Sequence, residues 1–541
     1  MEQSVSSYSR EVAKGSVWGL IGSLLVKLSS FFYTILIARV VSQGDVGLFY
    51  LTLSFISLIT IFSDLGLSGA ITRYLPFFEG KGQRSKIKSL LNYGYGITLI
   101  LGIVFSIALF LSADIIGQFF GGPGLSEALH FFAFFVLLLN IFRTDLAFLQ
   151  GKADIRSVQL VSNLQNFFKL IITVLLLVVY GSSPLVLIAA YMLSYAGATL
   201  FLFPKVKKLL SEFPNSGEPL SQHEFLTDVL PLGIMVTTLA SLGVIITSGD
   251  RMIMGLLMDP TIVRNMIAIY SIATALAVSL NILPGSITGI FLPVMSRVIG
   301  KGDHHEGLSI MQTAQRWTVF ITVPAAVVTI IFSEDIMRIF YGVAYQRGWL
   351  VLSVFTTGVL LSTLALVVST ALVAKRMVNI ELRVTLISAI INLILCFLLI
   401  PSFGIEGAAL AYLVAIALST ILTLYYGKTI FGFVSPPEIY RILLAGIVTG
   451  ILILLIKPLF TGFTIPSMGG EFNQYFYKVC YLSYIAILMF FSGIVFLVLS
   501  LALKCFHHED VSLMKSALRK AFVPPALIEF AAKIATKGVK S

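Results

Sequence analysis

Charge is scarce in this chain. Only 12% of its 541 residues are Asp, Glu, Lys or Arg, whereas a soluble domain carries roughly 25%. Hydrophobic residues make up 57%, and the mean hydropathy is +0.96. Long polar stretches are also missing, because the longest two, 205–227 and the segment after residue 504, are too short to enclose a core of their own. The sequence therefore predicts an all-α polytopic membrane protein.

Cysteine and histidine are too few and too scattered to form a metal site or a disulfide framework. The three cysteines lie within or beside apolar runs, and the six histidines lie at predicted span ends or in loops. The sequence also lacks a Walker phosphate-binding motif and a Ser–His–carboxylate set. We therefore expect no metal, no cofactor and no enzymatic activity.

Apolar runs of about 20 residues, the length that crosses a bilayer core, follow one another almost end to end. They predict about 14 transmembrane helices. The first run is too long for the apolar region of a secretory signal, and we interpret it as a span. The predicted spans are 16–40, 46–73, 88–112, 126–148, 157–180, 183–204, 228–258, 264–293, 313–333, 348–374, 377–400, 404–427, 440–460 and 476–503.

The distribution of Lys and Arg predicts the orientation of these spans. Most of the 37 Lys and Arg residues lie in one alternating set of loops and in both termini. Because such loops stay in the cytoplasm, we expect both termini to be cytoplasmic in a prokaryotic plasma membrane. The same asymmetry accounts for the net charge of +11. We therefore expect membrane lipids and not nucleic acid as partners, and a monomer by default.

The chain also repeats itself. Shifted by 223 positions, residues 149–152 fall on residues 372–375, with Lys152 on Lys375, and apolar positions downstream match as well. A parallel repeat of six helices follows, with two added C-terminal helices. The predicted parts are an N-terminal lobe over 1–210, a C-terminal lobe over 211–430, helices 13 and 14 over 431–504, and a basic amphipathic cytoplasmic tail over 505–541.

Three cations lie deep inside predicted spans. Lys27, Lys169 and Arg251 fall in the first, fifth and seventh spans, where a buried charge costs several kcal/mol. Each lies on a polar stripe at helical spacing, which suits a wet cavity. We predict that the three cations form an anion-binding cavity. The alternative is pairing with carboxylates and close packing of small residues. The polar residues expected to line this cavity are Ser23, Ser30, Asn166, Ser248 and Asn281.

Two carboxylates also lie in predicted spans. Asp64 and Asp250 either couple transport to Na⁺ or H⁺, or pair with the interior cations. For Asp64 the favoured interpretation is a salt bridge to Lys27.

The eighth predicted span contains a break. Pro284 and Gly285 follow Asn281, and a proline inside a helix removes a backbone hydrogen bond. A gating hinge and a fixed kink are equally consistent with this pattern.

Several segments resemble one known family. Residues 38–49 and 64–73 are similar to the first loop and the second helix end of the polysaccharide-biosynthesis, O-antigen-type flippases. Residues 149–152, 249–251 and 268–273 resemble later landmarks of that family. The resemblance implies the multidrug/oligosaccharidyl-lipid/polysaccharide exporter superfamily, with two six-helix lobes around a central cavity and an alternating-access mechanism. It also implies a polyprenyl-diphosphate-linked oligosaccharide as substrate, carried from the inner to the outer leaflet.

Three other functions compete with this expectation. A multidrug extrusion transporter commonly has a carboxylate in helix 1 or 7, and here only Asp250 supports it. A lipid II flippase differs only in the sugar. A membrane glycosyltransferase needs acidic sites in sizeable loops, and the loops here are short.

Overall fold

The structure, a computed structural model, describes residues 22–213, 218–461 and 471–505. Within these ranges the chain is helical and has no strand. The helices are α1 (Gly22–Val40), α2 (Gln43–Asp64), α3 (Leu67–Gly80), α4 (Arg84–Phe120), α5 (Pro123–Phe132), α6 (Phe135–Gly151), α7 (Ile155–Tyr180), α8 (Pro184–Ser211), α9 (Gln222–Glu224), α10 (Leu230–Leu257), α11 (Val263–Ser279), α12 (Ile282–Lys301), α13 (His304–Ile331), α14 (Ser333–Ile336), α15 (Trp349–Ala374), α16 (Val378–Phe431), α17 (Glu438–Thr461) and α18 (Glu471–Ala502).

The helices confirm a polytopic membrane protein. In the described ranges, 11 helices are long and apolar enough to cross a membrane, or 12 when the bent pair α5 and α6 counts as one span. The predicted number of 14 is not confirmed. The predicted tail after residue 505 and the first residues of the first span lie outside the described residues.

The second predicted span, 46–73, is wrong as a single helix. It divides into α2 and α3 at Leu65 and Gly66, which both have positive φ values of 44° and 68°. A Cβ on Gly66 would lie 1.8 Å from the carbonyl oxygen of Gly233 in α10. Glycine is therefore required at this break for two reasons, its left-handed backbone and the close approach of another helix.

Other spans are also interrupted. A bend of 44° separates α5 from α6, and α16 is kinked at Gly404, where φ is 58°. The eighth predicted span is interrupted at Leu280 and Asn281, between α11 and α12, so Pro284 stands in the first turn of α12. There it has no intrahelical hydrogen bond to lose, because the first backbone N–H groups of a helix have no partner within it.

The chain forms two compact units. Unit 1 contains residues up to Ala275 together with Leu382–Ala415, and unit 2 contains Leu276–Glu381 and the residues from Ile416 onward. Unit 1 has a large apolar core between α3, α4, α6 and α8. Unit 2 has two apolar clusters, which involve α12, α13, α15 and α17. The division at residues 210, 430 and 504 predicted from the repeat stays a prediction.

The two turns that the repeat aligns have the same backbone geometry. Lys152 ends α6 with φ −78° and ψ 2°, and Lys375 ends α15 with φ −79° and ψ 4°. The next residue is left-handed in both turns, with φ 56° at Ala153 and 62° at Arg376. These turns support the offset of 223 on which the repeat was based.

Candidate functional site

The predicted cation Lys169 is buried in unit 1, in the middle of α7. Its side chain is 8% exposed, and its ammonium donates a hydrogen bond to Oδ1 of Asn166 at 3.0 Å. The same amide oxygen accepts a hydrogen bond from the Ser30 hydroxyl at 3.3 Å. Three predicted site residues are thus connected, and α1 and α7 are joined at this point.

Aromatic rings complete the surroundings of this lysine. The Lys169 ammonium lies 4.5 Å from the ring centroid of Tyr33 and 5.8 Å from that of Tyr191, within the range of a cation–π interaction. In the described part of the chain, no carboxylate pairs with Lys169. Its partners are therefore all neutral, and its positive charge is uncompensated inside a helix bundle.

Arg251 lies in α10 and has mostly neutral partners too. Its guanidinium donates to the Thr274 hydroxyl at 3.4 Å and lies 5.9 Å from the ring centroid of Tyr50. Its Nε is buried and has no hydrogen-bond partner among the described residues. The neighbouring Asp250 attracts it electrostatically.

Rings connect the two cations within unit 1. Tyr191 packs edge-on against Phe49 at 6.0 Å, and Phe49 packs against Tyr50 at 5.4 Å. Successive side-chain contacts therefore lead from Lys169 through Tyr191, Phe49 and Tyr50 to Arg251. We call Tyr33, Tyr50 and Tyr191 the tyrosine cluster.

Asp250 is enclosed and has its own donors. Its side chain is 1% exposed, the Tyr270 hydroxyl donates to its Oδ2, and the Arg251 backbone N–H donates to its Oδ1 at 2.7 Å. The nearby Ser248 is buried as well. Both carboxylate oxygens of Asp250 are therefore hydrogen-bonded and buried where α10 packs on α11.

Asp64 ends α2 and accepts a hydrogen bond from the Ser68 hydroxyl at 2.6 Å. The cation that interacts with it electrostatically is Arg143, and not Lys27 as the favoured interpretation held. Lys27 is exposed on α1, and Ser23 is half-buried one turn before it.

Arg143 is an interior cation that was not among the predicted site residues, although it falls inside the predicted span 126–148. It lies in the middle of α6, and its Nη1 donates to the Thr60 carbonyl at 3.4 Å. It also interacts electrostatically with Tyr191 and Tyr195. The signal that could have revealed it is its position inside the predicted span 126–148.

The predicted hinge residues lie elsewhere, in unit 2. Asn281 is exposed at the start of α12, Pro284 is buried, and Gly285 is exposed and donates its N–H to the Asn281 carbonyl at 3.0 Å. Their role as a hinge stays a prediction. Among the described residues, no group of three or more His, Cys, Asp or Glu side chains could hold a metal ion.

The family of this chain follows from its comparison with known proteins. The family described as polysaccharide biosynthesis protein matches residues 12–299, which is more than half of the chain. The chain belongs to this family, and the resemblance to its flippases is confirmed.

Individual relatives are distant. An uncharacterised membrane protein of Methanocaldococcus jannaschii is 23% identical over 427 residues, which cover 75% of this chain and 81% of that protein. A probable low-salt glycan biosynthesis flippase of Haloferax volcanii is 28% identical over 141 residues, which cover 26% of this chain and 30% of that protein.

The fold is that of a solved transporter. The lipid II flippase MurJ in an inward closed conformation superposes with a TM-score of 0.68 at 16% sequence identity, over 90% of this chain and 98% of that one. This protein is therefore a multi-pass membrane protein with a MurJ-like fold, and it belongs to a family of polysaccharide-biosynthesis flippases.

Proposed function

We propose that the protein moves a polyprenyl-diphosphate-linked oligosaccharide from the inner to the outer leaflet by alternating access, for the assembly of cell-surface glycans. The main observation that supports this proposal is that Lys169 is buried among neutral partners. Burial of a charged side chain in a membrane protein costs about 3 kcal/mol or more. An anionic substrate that enters the bundle supplies the missing counter-charge.

The diphosphate of such a substrate suits the cations of unit 1. Hydrogen bonds between ammonium or guanidinium groups and phosphate are charge-assisted and roughly twice as strong as neutral ones. Lys169 and Arg251 each keep donor capacity in the structure. Lys27, exposed on α1, is the third candidate contact. The tyrosine cluster offers ring faces and hydroxyl groups to sugars.

The experiment is a binding measurement with a short polyprenyl diphosphate and the purified full-length protein. Lys169→Met and Arg251→Gln remove charge but keep bulk, and we expect each to raise Kd by about tenfold or more. Lys205→Met is the matched control, because Lys205 already pairs with Asp154 at exposed helix ends. Equal affinity in all three variants and the wild type would refute the proposal.

Translocation of this kind involves no covalent chemistry and no cofactor. Asp64 is our candidate for coupling to Na⁺ or H⁺, because it is half-buried, whereas Asp250 is enclosed. The proposed location is a prokaryotic plasma membrane, with both termini cytoplasmic and the protein acting as a monomer. Lipid II is an alternative cargo with the same diphosphate chemistry.

Multidrug extrusion is the second candidate, and Asp250 is the residue on which it depends. It predicts that expression raises resistance to lipophilic cations and that Asp250→Asn abolishes this resistance. The enclosure of Asp250 by Tyr270 argues against it.

A further inference from the structure

A cavity of about 160 Å³ lies in unit 2, where α12 ends and α13 begins. Its walls are mostly apolar and include Met295, Val298, Met311 and Phe431. The Lys375 side chain, half-buried at the end of α15, also lines it. The cavity therefore combines an apolar interior with one cation from the end of a helix.

Lys375 lacks an acidic partner. Its ammonium lies 5.0 Å from the ring centroid of Phe431, and in the described ranges no carboxylate pairs with it. Asp303 also lines the cavity, but its carboxylate caps α13 by accepting the Glu306 backbone N–H at 2.9 Å. His304, which follows it, is exposed.

The corresponding lysine in unit 1 does have an acidic partner. Lys152 occupies the same turn geometry, and its ammonium lies 4.9 Å from the ring centroid of Phe213. Here, however, Oε1 of Glu79 lies 3.0 Å from the ammonium. The two units thus share the lysine and the ring but differ in the carboxylate.

A second sequence match identifies the residue that replaces this carboxylate. The tripeptide Gly-Lys-Gly occurs at 80–82 and at 300–302, and its last glycine is left-handed in both, with φ 71° and 75°. Alignment on this tripeptide places Ile299 where unit 1 has Glu79. Ile299 lines the cavity, so an apolar wall stands where the other unit has its counter-charge.

We propose that this cavity binds an anionic glycerophospholipid. Its phosphate pairs with Lys375, as the Glu79 carboxylate pairs with Lys152 in unit 1. The apolar walls then enclose part of one acyl chain. A cavity of about 150 Å³ holds a benzene molecule, so roughly six carbons fit. The positive loops place this end of unit 2 at the predicted cytoplasmic face, where basic pockets between transmembrane helices bind anionic headgroups. This site does not depend on the cations of unit 1.

The test is native mass spectrometry of the full-length protein, titrated with dioctanoyl phosphatidylglycerol. We expect Lys375→Ala to raise Kd by about tenfold. Lys152→Ala is the matched control and should leave Kd unchanged, because Lys152 is already paired with Glu79. Dioctanoyl phosphatidylcholine should bind more weakly, and inorganic phosphate should not compete.

A second pair of variants keeps the lysine in place. Ile299→Glu restores the carboxylate that unit 1 has and should exclude the lipid, whereas Ile299→Gln, of the same size and uncharged, should not. Equal Kd values for the wild type and Lys375→Ala would overturn the proposal. So would equal effects of the two Ile299 variants, or competition by inorganic phosphate as strong as that of the lipid.

Discussion

Gly47 belongs to the first segment that resembles the flippase family, and the structure explains why a glycine stands there. A Cβ at this position of α2 would lie 1.7 Å from the backbone carbonyl oxygen of Arg264, far inside van der Waals contact. The carbonyl is held, because the Arg264 guanidinium donates to the Gly121 carbonyl at 2.7 Å. We therefore predict that Gly47→Ala forces α2 away from the start of α11.

The expected loss of stability depends on the kind of contact that the added Cβ would make. Overpacking costs about 1 to 3 kcal/mol, and a clash with backbone belongs at the upper end because no flexible side chain can move aside. We expect Gly47→Ala to lower the melting temperature of the purified protein, measured by circular dichroism, by about 3 °C. Gly243→Ala is the matched control, since among the described residues no atom beyond its own stretch of helix lies within 4 Å of its added Cβ.

The control should stabilise α10 by roughly 0.5 to 1 kcal/mol, because alanine is favoured over glycine inside a helix. If Gly47→Ala melts at or above the temperature of Gly243→Ala, the close packing of α2 on Arg264 is refuted.

Two further predictions concern stability. Partial burial raises the pKa of Asp154, but hydrogen bonds from Lys205 and Ser157 outweigh it and leave the pKa below its usual value. This contribution to stability is present above the unfolded-state pKa and is lost as pH falls through the folded-state pKa. The melting temperature of Asp154→Asn should therefore fall less on acidification than that of the wild type. An equal dependence of melting temperature on pH in the two proteins would contradict this. Tyr270→Phe removes the hydroxyl that donates to Oδ2 of Asp250 and should destabilise the protein by roughly 1 to 3 kcal/mol; adding Asp250→Asn should restore part of the loss in melting temperature, and no recovery would contradict the pairing.

The sequence predicted the membrane class because it depends on local composition, and it indicated the family because several short segments resemble it. Apolar runs of sufficient length predict spans whatever their neighbours are, and most predicted spans coincide with helices in the structure. Lys169 and Asn166 were also predictable, since a polar stripe at helical spacing marks one face of a single helix. Their contact with Ser30 agrees with that expectation.

Helix interruptions were less predictable, because they depend on what packs against the chain. Gly66 looks like any other glycine in an apolar run, and only the carbonyl of Gly233 in α10 explains the break there. Pro284, which has a strong local signal, lies in the first turn of α12, directly after the break. Propensity is a weak guide where tertiary contacts decide.

The sequence by itself determined that this chain is a bundle of apolar helices, because hydrophobicity is a property of each residue, and it predicted that some charged residues lie inside the spans. Only the tertiary structure decided which charges are compensated. Arg143 interacts with Asp64 across helices, Lys152 pairs with Glu79, and Lys169 and Lys375 are left with neutral partners. Pairing requires two groups within a few ångströms of each other, and the distance between residues far apart in sequence is fixed only when the helices pack.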